Sequence, residues 1–192
     1  MLHLIIESFI RPRETMRGIL RRDLPEALLL PAAVAICCVV AAVEGVFAVV
    51  FGTGSDGSLL RGPIGLAVVQ FGILLVSALL IDRVGAMFGG NGTWKSAMIV
   101  AIWYMVVSLG PNMIVLYVQH SGGDMSTFLA VQFIAAGWML VMLTGFVQVV
   151  HGFKNAFLTG LGVLATGFFF GLLVVLALSA LGIVPPGAES NV

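Results

Sequence analysis

Charge is the first thing this 192-residue chain lacks: only 9% of its residues are Asp, Glu, Lys or Arg, while 60% are hydrophobic. Soluble domains carry about 25% charged residues, and so few cannot cover a water-facing surface. A soluble enzyme, a disordered linker and a nucleic-acid binder are therefore disfavoured. Nine Lys and Arg balance nine Asp and Glu, so no positive excess points to a polyanionic partner. Cysteine is scarce too. Cys37 and Cys38 are neighbours, which rules out an ordinary bridge between them; inside an apolar run they read as small hydrophobes. His3, His120 and His151 fall in separate regions, so they do not form a metal set. No Ser or Cys nucleophile has a His and an acid on the same membrane side, and the chain is expected not to be an enzyme.

What the chain has is apolar length. Crossing about 30 Å of hydrocarbon takes about 20 apolar residues. Five segments qualify, at 27–51, 63–81, 94–118, 127–150 and 155–184. They are continuous runs without strand-like alternation, so helices are expected rather than a membrane barrel. The expected fold is all-α and polytopic: an amphipathic interfacial segment over 1–26, a five-helix transmembrane domain over 27–184, and a short tail over 185–192. The first run is too long and too far from Met1 for a cleaved signal peptide.

Basic residues set the expected orientation. Arg11, Arg13, Arg17, Arg21 and Arg22 precede the first span, Arg83 and Lys95 separate the second and third, and Lys154 separates the fourth and fifth. All eight share one side of a five-span chain, against Arg61 alone on the other. The positive-inside rule puts the N-terminus in the cytoplasm and the Pro185–Pro186 tail outside, together with Asp56, Asp124 and Glu189. Before the first span, Leu2, Ile5, Ile6 and Phe9 repeat at helical spacing. After Pro12, Met16, Ile19, Leu20 and Leu24 form a second stripe, opposite Arg13, Arg17 and Arg21. Such a segment is expected to lie along the interface, apolar face in the acyl boundary and arginines among headgroups.

Polar residues inside the spans are the best functional clues, because lipid offers them no partners. Counting at 1.5 Å per residue puts Glu44, Gln70, Asn112 and Gln132 in one layer, roughly 7–11 Å below the outer boundary. Glu44 is expected to face the interior and meet Gln70, Asn112 or Gln132. This is either a clasp fixing helix register or a proton or ligand site. Gly110 and Pro111 predict a kink or break in the third span. Gly167 and Gly171 form a small-xxx-small pair for close helix contact, within the chain or between copies; Gly137, Gly145, Gly160 and Gly162 offer similar surfaces. At the cytoplasmic face, Asp82, Arg83, Lys95, Gln148, His151 and Lys154 form a cluster, with Asp82 expected to contact Lys95 or Lys154. It is either a partner-binding face or a topology-setting belt.

Two motifs fail on context. The glycine pattern of residues 52–57 lies in a loop between spans with no preceding strand. Lys95-Ser96 follows Trp94 where a phosphate loop needs Gly. Three others, taken in order, carry a resemblance. Phe9-Ile-Arg-Pro-Arg-Glu-Thr-Met16 precedes the first span, Phe88-Gly-Gly-Asn-Gly-Thr-Trp-Lys95 enters the third, and His151-Gly-Phe-Lys-Asn155 forms the fourth turn after Trp138. Over about Phe9 to Gly182 the chain resembles the bacterial branch of the Yip family, the Ypt/Rab-interacting membrane proteins with a Yip-one domain. The resemblance implies five spans, a cytoplasmic N-terminus and no catalytic residues. Eukaryotic members bind prenylated small GTPases and often oligomerise, but this chain lacks their long N-terminal extension. The expected protein is a non-enzymatic scaffold or accessory subunit of the bacterial inner membrane. Its partners are the lipid bilayer, copies of itself or other integral membrane proteins. The alternative is a small transporter or channel using Glu44 and the break at Pro111.

Overall fold

A computed structural model of the chain describes residues 2–51, 62–121 and 124–180. Arg61, Asp56, the 52–57 glycine pattern, Pro185–Pro186 and Glu189 lie outside these. Two short helices, α1 (Leu2–Ile10) and α2 (Pro12–Leu20), lead through a single 3₁₀ turn at Glu26–Leu28 into α3 (Leu29–Val50). Then come α4 (Pro63–Met87), α5 (Trp94–His120), α6 (Met125–His151) and α7 (Ala156–Ala180). No strand occurs among the described residues, and five helices are long and apolar enough to cross a membrane. An all-α, five-span membrane protein is therefore the fold.

Local chemistry sets the helix ends. Pro12 and Pro63 open α2 and α4 at positions whose N–H groups would be unpaired anyway. Thr93 caps α5 reciprocally with Ser96. Its hydroxyl accepts from the Ser96 N–H at 3.3 Å, and its own N–H donates to the Ser96 hydroxyl at 2.9 Å. At the other membrane side, the Asp124 carboxylate accepts from the hydroxyls of Ser126 and Thr127 at the start of α6. These bonds hold its carboxyl below the usual carboxylate range. Gly152 ends α6 in the left-handed region (φ 72°), letting Phe153 N–H return to the Gln148 carbonyl at 3.1 Å. Two sequence expectations change. Helix α4 continues past residue 81 to Met87, so Asp82 and Arg83 are helical. Helix α5 is continuous through Gly110 and Pro111, so the chain there is not broken; one helix runs from Trp94 to His120 with Pro111 inside it.

Helix α5 is the hub, touching α3, α4 and α6 along its length and α1 and α2 near its start. Ala33, Ala78 and Ala97 are wholly buried, so helix backbones approach closely, and Val100, Met142 and Phe146 fill the remaining space. Helix α7 takes its extended contact from α6.

The N-terminal helices dock on protein, not only on lipid. Met16 is completely buried and Ile19 nearly so, with α2 lying on α6. A Cβ on Gly145 would sit 3.2 Å from Cβ and Cγ of Pro12, so glycine lets α2 come this close. On α1, buried Ser8 accepts a bond from the Trp103 indole N–H at 2.9 Å and donates to the Leu4 carbonyl at 2.8 Å. Trp103 stands about 13 Å along α5 from its first residue, so α1 is tied to the first half of that helix. Arg13 and Arg17 point outward and exposed.

Ser8→Ala removes the acceptor while leaving the buried indole donor, which costs about 1–3 kcal/mol. Thermal unfolding followed by circular dichroism in detergent is expected to show a lowered midpoint. Adding Trp103→Phe should recover part of the loss, because the orphaned donor is then gone.

Candidate functional site

The motif at residues 88–95 and the motif at residues 151–155 meet, and His151 is the peg between them. Its side chain is 2% exposed. The Gly92 N–H donates to Nδ1 at 3.2 Å. The proton must therefore reside on Nε2, which donates to the Ile81 carbonyl at 2.9 Å. The His151 carbonyl accepts from Asn91 N–H at 3.3 Å, and the Phe153 ring stacks on the imidazole at 5.3 Å. Three glycines shape the socket: a Cβ on Gly85, Gly90 or Gly92 would come within 2.1, 2.4 or 2.5 Å of the ring. His151 is thus a neutral internal strut between the α4–α5 and α6–α7 turns and not part of a charged face. Sequence reasoning missed this; the readable signal was the density of glycine between residues 85 and 92 opposite a His-Gly turn.

The remaining residues of the expected cluster also separate. Lys95 Nζ lies 2.6 Å from Asp23, which reaches it from the turn after α2 in a left-handed conformation (φ 41°). Asp82 faces Arg83 at 3.6 Å. The expected Asp82 contact with Lys95 or Lys154 is therefore not formed, because Asp23 has taken Lys95. The hydrogen bond and charge of Lys95 hold the Asp23 carboxyl below its usual range, so it carries its charge at neutral pH and loses it only in acid. Lys154 is exposed and has no carboxylate within 4 Å among the described residues. Gln148 is 4% exposed, and both its side-chain polar atoms lack a partner among the described residues.

A groove of about 700 Å³ runs between α4 and α7 over α5 and α6. Glu44, Gln70 and Asn112 line one end, and Lys154 and Asn155 the other. Gln70 Nε2 donates to Glu44 Oε1 at 3.3 Å. Gln132 is exposed on α6 and lies outside the lining. Residue counting gave its height but not the direction in which its helix face points. The small residues divide as well. Gly145 abuts Pro12 and Gly160 abuts Thr144, whereas Gly162, Gly167 and Gly171 have nothing within 4 Å of an added Cβ. Gly110 and Pro111 sit beside this region on continuous helix. Cys37 is buried with its Sγ 3.8 Å from Met105 Sδ, and Cys38 is exposed; both are free thiols. Among the described residues, no three His, Cys, Asp or Glu converge on a metal-sized site.

The socket around His151 has a direct test. Gly85→Ala drives a methyl into the imidazole and is expected to cost about 3 kcal/mol, the upper part of the overpacking range. Gly72→Ala, with nothing within 4 Å of the new Cβ, should be neutral or slightly stabilising. Detergent-solubilised thermal melts compare the two.

Comparison with known proteins adds one finding. No curated protein and no solved structure matches the chain. Residues 6–181, from the middle of α1 to the end of α7, match the Yip1 domain. The match takes in both turns joined by His151 and the helix that carries Ser8, as well as all five spans. The chain belongs to the Yip1 domain family of membrane proteins.

Proposed function

We propose that this protein is a non-enzymatic scaffold or accessory subunit that holds other membrane proteins, or further copies of itself, against the lipid-facing side of α7. The observation carrying this reading is that α7 rests on α6 while Gly167 and Gly171 face open space. In a bilayer, helices associate through close backbone approach, and small residues four apart provide it. Neither glycine has an atom within 4 Å of an added Cβ, so this surface is open to a second helix; Gly167 also borders the groove between α4 and α7. The bundle behind them is braced by His151 and by the docked N-terminal helices, which suits a platform. Eight cations at the end carrying α1 and α2 support an N-terminus in the cytoplasm and a tail outside. The resemblance to bacterial members supports the inner membrane.

Gly171→Leu places a branched side chain on this surface but outside the groove. It is expected to abolish recovery of the oligomer or co-purifying membrane protein after gentle extraction, with an unchanged melting midpoint. Assembly at the wild-type level overturns the reading.

A second reading, transport, is favoured by one observation: a single groove extends from Lys154 to Glu44. Against it, α5 is unbroken, and Glu44 is bonded to Gln70. The clasp reading expects Glu44→Gln to melt near wild type and Glu44→Leu to melt lower, by about 1 kcal/mol. It also expects no proton flux into proteoliposomes above that of empty vesicles. Flux that Glu44→Gln removes would establish transport instead.

A further inference from the structure

The α4–α7 groove changes character along its length. Lys154 at its basic end is the only cation among the described lining residues, beside Asn155. Beyond them the walls are Leu80, Val84, Leu143, Val147, Leu158 and Val163. Five lining residues carry a hydroxyl, Ser77, Tyr104, Ser108, Thr159 and Thr166, and the last three are turned onto the chain itself. Ser108, Thr159 and Thr166 each donate to a carbonyl of their own segment, at 3.0, 2.8 and 2.7 Å. The middle of the groove is therefore mainly hydrocarbon, with Ser77 and Tyr104 as its remaining hydroxyls. Its rims, Ile73 and Phe88 on α4 and Leu158 on α7, are 46%, 72% and 62% exposed, so the groove opens sideways towards the bilayer.

Size selects the occupant. A transmembrane helix about 10 Å across and 30 Å long fills roughly three times this volume. At about 30 Å³ per non-hydrogen atom, the share of a water molecule, the groove takes about 20 atoms. That is one acyl chain with part of its glycerol. The wall from Asn155 to Phe170 is about 22 Å long, enough to hold a chain over the hydrocarbon depth of one leaflet, about 15 Å.

We propose that this groove binds one anionic phospholipid from the leaflet on the basic side, with its phosphate at Lys154 and one acyl chain along α7. The charge fits: Lys154 lacks a carboxylate partner among the described residues at the height where headgroups lie. The chain ends short of Glu44 and Gln70, which keep their mutual hydrogen bond, and of Asn112. The groove and the partner surface of α7 meet at Gly167, but Gly171 is outside the groove lining, so Gly171→Leu tests the partner surface and Gly162→Leu the groove.

The test uses the full chain, reconstituted in vesicles of equal phosphatidylcholine and phosphatidylglycerol, then re-extracted in mild detergent for lipid counting by native mass spectrometry. Wild type is expected to retain one phosphatidylglycerol per chain. Gly162→Leu projects into the groove from a position with nothing within 4 Å, so it fills the site without straining the bundle. It should lose most of the retained lipid at an unchanged melting midpoint. Lys154→Gln should keep a lipid but reduce the preference for phosphatidylglycerol about fivefold, the effect of one lysine near an anionic surface. Arg17→Gln, exposed on α2 outside the groove, should change neither. The proposal is overturned if wild type retains no lipid, if Gly162→Leu retains as much, if Lys154→Gln leaves the preference unaltered, or if a polypeptide is displaced by Gly162→Leu in place of lipid.

Discussion

One imidazole decides how the two hairpins of this bundle meet. In a bilayer, helices gain little from burying apolar surface against one another, since lipid tails are just as apolar. What fixes their relative height must be steric fit or directed bonds. His151 provides both at one point. Its two nitrogens and its carbonyl bond to Gly92, Ile81 and Asn91, and three glycines give up side chains to admit its ring. The bonds require the neutral tautomer, so the socket is matched to an uncharged histidine as well as to its shape.

The same logic runs through the bundle's other polar groups. Trp103 bonds to Ser8 and Gln70 to Glu44, each pairing groups from different helices. The small hydroxyl residues of α5 and α7 instead fold onto their own helices. The first kind ties elements together; the second leaves surfaces that other molecules meet as hydrocarbon. The bundle thus has a firm side, where α1 to α6 interlock, and an open side along α4 and α7. Gln148 is the exception, buried without a partner among the described residues at the margin of the firm side.

Much of this architecture was legible from residue order. Five apolar runs and the stripe of Met16 and Ile19 follow from periods that act over a few residues. The order of motifs likewise pointed to the family. What resisted was direction around a helix axis. Gln132 shares a height with Glu44 and Gln70, yet its helix turns it outward, and nothing in a run as apolar as 127–150 marks which face is inside. Charge pairing was equally opaque. Lys95 chose Asp23 over Asp82 because an N-terminal turn, remote in sequence, folds back onto the start of α5. The role of His151 was hidden for a related reason: a histidine at a membrane edge looks like a charge until the glycines that enclose it are seen in space.

The bond between Ser8 and Trp103 has a consequence for biogenesis. These residues are 95 positions apart, and Ser8 leaves the ribosome long before the helix that receives it. At 5–20 residues per second, the wait lasts several seconds. Until then α1 has its neighbour α2 to pack on but not α5, and the membrane surface is the natural place to hold its apolar face. A helix made before any of the five spans thus gains its buried bond only once the third span exists, so at this point the order of assembly runs against the order of synthesis.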